Sequence, residues 1–384
     1  MKIASFNVEN MFRRAVVLNQ ENWKDGKPIL EAYAALTEVL EQPVYSDADK
    51  RRILALLEKL GLLSWKEEKG VKKAKFAEDN DWVWLRRSRG KLVSVHTKDG
   101  SIEVVAAGRA DWIGWLELKR EEVNEQATRN TAAVIADMDP DILAVVEAED
   151  RPALVRFNEN VLKLDQGEDK AFGHVMLIDG NDERGIDVGL LSKAGFPVVS
   201  MRSHVDDPGP PAKPVFSRDC AEYEFKVGRS KLLLLVNHFK SKGFGKTSDS
   251  NERREDQAKE VARIYNERKA EGWKYIVVLG DLNDTPESKP LAPLIKGTDL
   301  KDASELPGWA WGEREGTFGG SKKEKIDYLL LSPGLHGKVK AGGVNRKGLW
   351  HGDRTQNPWE LLPTLTKEEE AASDHAAIWV ELDL

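Results

Sequence analysis

The segment YIVVLGDLNDTPESKPL, Tyr275 to Leu291, sets the chemical question. An apolar run meets a glycine, and Asp281, Asn283 and Asp284 follow at once. Turn chemistry accounts for Asp284, which precedes Thr285 and Pro286. Asp281 and Asn283 are different, because the same event recurs along the chain. Short apolar runs end, or begin, in Asn7, Glu147, His238, Asp281, Asn283, Asp327, Asp374 and His375. One such strand end is a turn. A series of them points to a site assembled at one edge of a packed sheet.

The residue types restrict the chemistry. Carboxylate and amide oxygens are hard ligands, suited to Mg²⁺ or Mn²⁺ rather than zinc. Glu147 and Asn7, with Glu9 and Asp374, are therefore the expected cation ligands. A cation there polarises a phosphoryl oxygen and stabilises the leaving one. Asp281 is left as general base, taking a proton from water. His375 donates to a phosphoryl oxygen or carries a proton, and Asp327 is the acid expected to orient its ring. There is no GxSxG, and the single cysteine, Cys220, stands among acidic residues, so water is the expected nucleophile.

These groups need elements to hold them. The expected strands are Lys2 to Val8, Ile142 to Val146, Asp187 to Leu191, Lys231 to Val236, the run into Asp281, Ile326 to Leu331 and Ala376 to Leu382. Ile142 to Val146 and KLLLLV are apolar throughout, as strands buried on both faces are. Helices are expected over Val123 to Ala136, stopped by Asp139-Pro140, and over Asn251 to Lys269. Residues 13–111 break this rhythm. They read as an inserted α+β subdomain, with helices at Ile29 to Leu40 and Asp47 to Leu60, a charged linker from Lys66 to Lys75, and a hairpin turn at Lys98-Asp99-Gly100. The composition is that of a globular protein, 40% hydrophobic and 32% charged, and its net charge of -7 does not advertise nucleic-acid binding. No apolar run is long enough to span a bilayer. The polar start MKIASFNVEN is not a signal peptide, so a cytoplasmic location is the default expectation, with a secreted form only if a leader has been removed. Nothing in the residues sets an oligomeric state.

Taken in order, FNVEN, DILAVVEAED, GIDVGLLS, LVNHFKSKG, GDLND, KIDYLLLS and SDHAAI resemble the endonuclease/exonuclease/phosphatase superfamily. That superfamily includes DNase I-like nucleases, abasic-site endonucleases, sphingomyelinases and inositol-polyphosphate phosphatases. The resemblance covers residues 1–12 and roughly 120–384. It implies an α/β fold: a four-layer sandwich of two packed β-sheets flanked by helices, formed here by residues 1–12 and 112–384. It also implies roles. Asn7 and Glu147 match metal ligands, and Glu9 falls where some members carry an acid close to the metal. Asp281 matches the group that activates water, and Asn283 one that holds phosphate or water. Asp374 and His375 match the closing Ser-Asp-His motif, Asp327 the acid orienting that histidine, and His238 a histidine on the scissile phosphate. Asn237, beside it in LVNHF, is assigned to substrate binding. Phe216-Ser217-Arg218 looks like the family's FSR segment and brings Arg218 to a phosphate, although Asp219-Cys220 stand where related members carry prolines.

The expected activity is a divalent-metal-dependent phosphodiesterase, with nucleic acid as substrate. The alternative is a phosphatase for a small phosphorylated metabolite or lipid head group, using the same centre. Lys240, Lys242 and Lys246 after His238, and Lys322, Lys323 and Lys325 before Asp327, read either as a positive rim that contacts phosphates without reading bases or as ordinary solvated lysines. The insert interleaves Trp82 and Trp84 with Arg86, Arg87, Arg89 and Lys91. It is expected to wall the site, with the tryptophans read as core of a small subdomain and stacking on unpaired bases as the alternative.

Overall fold

Alternation along the central strands decides the layering. In Ser230–His238, Leu232, Leu234 and Val236 enter one apolar cluster, while Leu233 and Leu235 enter another. In Ile142–Ala148 the split recurs: Ile142, Ala144 and Val146 join the first cluster, Leu143 and Val145 a third. A strand buried on both faces needs a layer on each side. The shared cluster draws Ile3, Val188 and Val380 from one sheet and Tyr223, Val277 and Leu329 from another, so it is the seam between two stacked sheets. Helices close the outer clusters. Glu125–Met138 and Arg151–Phe157 cover the first sheet through Ala132, Ile135 and Leu154, and Thr247–Ala270 covers the second through Ala258, Val261 and Ile264. The architecture is a four-layer α/β sandwich, as the resemblance implies.

This is a computed structural model, and it describes residues 1–384 except 12, 19–22, 69, 97, 123, 183, 211–212, 243–246 and 353–358. The first sheet has the order His174–Leu177, Asp187–Ser192, Ile142–Ala148, Lys2–Met11, Ala377–Leu382, Val339–Asn345, Trp309–Ala310. The second has the order Val198–Arg202, Cys220–Val227, Ser230–His238, Tyr275–Asp281, Asp327–Leu331, Lys301–Asp302. At the centre of each sheet two strands run parallel, Lys2–Met11 beside Ile142–Ala148 and Ser230–His238 beside Tyr275–Asp281. Their carboxyl ends therefore leave each sheet together. Asn124 caps the helix Glu125–Met138, and Asp139, at φ 47, ends it in the left-handed conformation one residue before the proline. The expected first residue of this helix, Val123, lies outside the described residues.

The chain divides into two units, one of 1–12, 123–242 and 246–384 and a second built on 13–122. The sequence placed the end of the insert at residue 111. The structure carries it to 122, because Ile113–Leu118 pairs with Val83–Arg89 and Arg120–Glu122 pairs with Arg13–Ala15. The second unit has its own core, with Leu36, Ile53, Leu57, Val83 and Trp112 buried together under the helices Trp23–Leu40 and Asp47–Lys59. Ser46 and Asp49 form a capping box at the second of these helices. The expected linker at Lys66 to Lys75 is instead a hairpin of Leu63–Glu68 and Val71–Phe76, turned at Gly70 with φ 79. Its charges are tolerated because both faces of the ribbon are largely open to water.

Candidate active site

The seam between the sheets is apolar along most of its length and turns polar at one end. Asn7 continues the seam-facing side of its strand, and His238 follows Val236 in the same way. Asp281 follows Leu279, and Asp327 precedes Leu329. Register then lines three of them up. His238 pairs with Asp281 across a parallel ladder, and Asp281 with Asp327 across an antiparallel one. Gly280 makes that row feasible: it has φ 126, and a Cβ there would lie 2.0 Å from the Asn237 carbonyl oxygen.

His375 joins from the segment before Ala377–Leu382. Its Nδ1 is 2.9 Å from Asp327 Oδ2, and its Nε2 faces Asn7 Nδ2 at 3.3 Å and Asp281 Oδ2 at 3.8 Å. The Phe318 ring packs 4.9 Å from the imidazole. Asn7 Nδ2 also donates to Asp281 Oδ2 at 3.2 Å, and Asn283 donates to both Asp281 oxygens from its backbone and side-chain nitrogens. Asp281 is almost wholly buried. Burial pushes its pKa up to about 7, the His375 charge pulling against that and Asp327 adding to it. For His375, burial opposes the charged form, but Asp327 and Asp281 overcome it and hold the imidazole well above its usual range. Asp281, His375 and Asp327 thus form a carboxylate–imidazole–carboxylate chain poised to hold or pass a proton near neutral pH.

Glu147 should face the helices by simple alternation. It does not, because it stands at an irregularity in the pairing with Asp187–Ser192 and has φ 67. Its Oε1 comes 3.6 Å from His238 Nε2, which lies equally far from Asp281 Oδ2. Burial, with Arg218 and Arg184 nearby, keeps His238 neutral. Among the described residues no group hydrogen-bonds to the Glu147 carboxylate. A largely buried carboxylate with no hydrogen-bond donor among the described residues fits a hard divalent ion. Glu9, at φ 53, accepts the Asp374 N–H at 2.9 Å and donates its own N–H to Asn7 Oδ1 at 3.0 Å. Ser373 Oγ donates to the Asn7 carbonyl at 2.7 Å, so the first strand and the closing motif are tied together. Asp281, Asp327 and His375 also lie close enough to one another to share an ion. Because Nδ1 is already taken by Asp327, proton chemistry suits them better.

Two expected substrate contacts are placed elsewhere. Asn237 alternates with His238 and so faces the helix layer, where its Nδ2 donates to the Leu235 carbonyl. Arg218 is only 1% exposed, pairs with Asp182 at 2.9 Å and donates to the Phe239 carbonyl, which also accepts from Asn283. Both stand behind the site's surface. Lys240 stands two residues past His238, and burial with Arg218 and Arg184 lowers its pKa to about 7. Of the other rim lysines, Lys242 pairs with Asp284, Lys325 is buried against Asp302, and Lys246 lies outside the described residues. Sequence reasoning missed Asp182 and Arg184, which look like ordinary loop charges in GNDERGID. Arg184 holds both Asp182 oxygens, at 2.9 and 2.7 Å, and its charge is felt at Glu147, His238 and Lys240.

The sequence profile described as "Endonuclease/Exonuclease/phosphatase family" matches residues 103–308. No curated protein matches the chain in sequence. Among solved structures, a mannosyl-6-phosphatase of Bacteroides thetaiotaomicron is similar at 18% identity, over 67% of this chain and 91% of its own, with a TM-score of 0.49. An endonuclease/exonuclease/phosphatase family protein of the same species aligns at 18% over 66% and 85%, TM-score 0.48. Truncated Caenorhabditis elegans TDP2 aligns at 19% over 66% and 90%, TM-score 0.43.

Proposed function

Since the chain belongs to the endonuclease/exonuclease/phosphatase family, and is therefore a phosphoester hydrolase, we propose that it cuts the phosphodiester bonds of nucleic acid by metal-assisted attack of water. The observation that carries the mechanism is Asp281, a buried carboxylate with a pKa of about 7 in a row with His238 and Asp327. At neutral pH it takes the proton of a water aimed at phosphorus, while the Asn283 and Asn7 amides hold its oxygens in place. His375, kept protonated by Asp327, donates to the phosphoryl oxygens as charge builds on them. His238, neutral and with Nε2 turned toward Glu147 and Asp281, offers a neutral hydrogen bond to the same group. Glu147 would hold a Mg²⁺ or Mn²⁺ ion, with Asn7, Glu9 and Asp374 around it, and the bound ion supplies charge for the leaving oxygen. Nucleic acid is favoured by the charge of the insert. Residues 13–122 hold 21 Lys and Arg against 19 Asp and Glu, while the whole chain holds 58 against 65.

An activity panel in Mg²⁺ and in Mn²⁺ tests this: plasmid, single-stranded DNA, RNA, bis-p-nitrophenyl phosphate and p-nitrophenyl phosphate. Hydrolysis of polymers and of the diester is expected. Turnover of the monoester alone would replace this reading with that of a phosphatase.

A further inference from the structure

The stretch GTFGGSKKE, Gly316 to Glu324, carries no group that the proton chemistry uses, yet it packs against two that do. It is a short loop folded back on itself. Gly319 and Gly320 have φ 53 and 64, and the Ser321 N–H closes the turn on the Phe318 carbonyl at 2.9 Å. Two left-handed residues in a row suit glycine best. The Thr317 N–H meets the Glu324 carbonyl at 2.9 Å, so the two arms run side by side. Arg346 fixes the entry. It is buried, and its guanidinium donates to the carbonyls of Trp311 at 2.7 Å, Gly316 at 2.9 Å and Arg314. Three carbonyls of one short segment held by one buried, planar group leave that segment a single path.

The contacts of this loop cross the seam between the sheets. Asp327 begins a strand of the second sheet, and His375 precedes a strand of the first. The bond from His375 Nδ1 to Asp327 Oδ2 therefore depends on how the two sheets are set against each other. Thr317, wholly buried, holds both sides. Its Oγ1 accepts the N–H of Asp327 at 3.2 Å and that of Ile326 at 3.1 Å, while its carbonyl accepts the Ala376 N–H at 2.7 Å. Phe318 forms a backbone bridge with His375, and its ring packs on the imidazole at an interplanar angle of 58°. The Gly319 N–H reaches the Asp374 carbonyl at 2.8 Å. A misplacement of about 1 Å in a catalytic pair costs on the order of a hundredfold in rate.

We propose that Thr317 and Phe318 are positioning residues for the reaction. Thr317 acts through Asp327 and Phe318 through His375, and Arg346 anchors the loop that carries them. The threonine hydroxyl and carbonyl set the two sheets at the spacing that the His375–Asp327 bond needs. The proposal rests on the roles given to His375 and Asp327 above.

The test is a double-mutant cycle on the full chain, in Mn²⁺, with whichever nitrophenyl phosphate ester the protein turns over. T317V keeps the shape and removes the acceptor, and T317S keeps the acceptor. T317V should lower kcat by about tenfold or more with KM within about twofold, and T317S should recover most of the loss. In a D327N background T317V should cost nothing further, because the residue it acts through is already disabled. A merely structural threonine would cost the same factor in both backgrounds. That result, or wild-type kcat in a folded T317V, overturns the proposal. If T317V does not fold by circular dichroism, F318L is read against H375A in the same way. The low-field proton signal of the His375 Nδ1–H, assigned by its loss in H375A, gives a readout without turnover and should move in T317V. If D327N and H375A keep wild-type turnover while T317V moves that signal, the positioning stands and the catalytic roles of His375 and Asp327 fall. If both lose turnover and T317V changes neither kcat nor the signal, those roles stand and the positioning falls.

Discussion

At the scale of single residues, the site is written in backbone strain as well as in side chains. The non-glycine residues with positive φ are Glu9, Asp139, Glu147 and Asn283 among those described. Asp139 ends a helix, and the other three belong to the site. Left-handed backbone costs a residue with a Cβ on the order of 1 kcal/mol, and it persists where the surroundings impose it. Asp281→Asn and His375→Ala should each lower turnover by on the order of a hundredfold or more. D281N should also melt no lower than wild type, because burial makes the ionised carboxylate unfavourable in the folded protein. A well-folded variant with near wild-type turnover would remove that residue from the mechanism. Asp281 works deprotonated, and its pKa is raised to about 7. The kcat/KM profile should therefore fall on the acid side of about pH 7, and a profile flat down to pH 5 would exclude Asp281 as the base. Excess EDTA should abolish activity, and added Mg²⁺ or Mn²⁺ should restore it; full turnover after dialysis against chelator would end the metal assignment.

At the scale of elements, one buried network fastens the strand Cys220–Val227 to the helix Thr247–Ala270. Glu222 takes two bonds from Arg268, at 2.6 and 2.8 Å, and meets His204 Nε2 at 2.6 Å, while His204 Nδ1 meets Asp207. Burial pushes the Glu222 pKa up, but His204 and Arg268 bring it down to about 2. A depressed carboxylate stabilises above its unfolded pKa and loses that contribution as pH falls through the folded one. Glu222 should thus contribute on the order of 3 kcal/mol at neutral pH, lost between about pH 4.5 and 2. Glu222→Gln should lower unfolding stability at pH 7 by about that amount and flatten the acid dependence in denaturant titrations. An unchanged midpoint at pH 7 would show that the network does not hold these elements. Legibility in the sequence followed the same physics. Ser230–His238 and Tyr275–Asp281 were readable because burial on both faces leaves an unbroken apolar run. Cys220–Val227 was not, because Glu222 and Glu224 interrupt its pattern and only their distant partners make them tolerable. The inward aim of Glu147 was legible only as a polar strand end, since nothing in DILAVVEAED announces the irregularity that turns it.

For the whole molecule, a binding role of the insert is testable by deletion. If its lysines and arginines meet a polymer, replacing residues 13–122 with a short Gly/Ser linker should raise KM for DNA or RNA far more than for bis-p-nitrophenyl phosphate, since only the polymer has remote contacts to lose. Equal losses in a folded deletion variant would deny the insert that role. The ladder between Arg13–Ala15 and Arg120–Glu122 also bears on how the chain finds its shape. The central pairing of Asn7 with Val146 spans about 140 residues of chain. Once Arg13 has paired with Glu122, the effective loop is about 30 residues, which lowers the closure cost by about 1.4 kcal/mol. The insert should accordingly act as a folding staple that matures first. In pulse-labelled hydrogen exchange during refolding, amides of the helix Asp47–Lys59 should gain protection before those of Lys2–Met11.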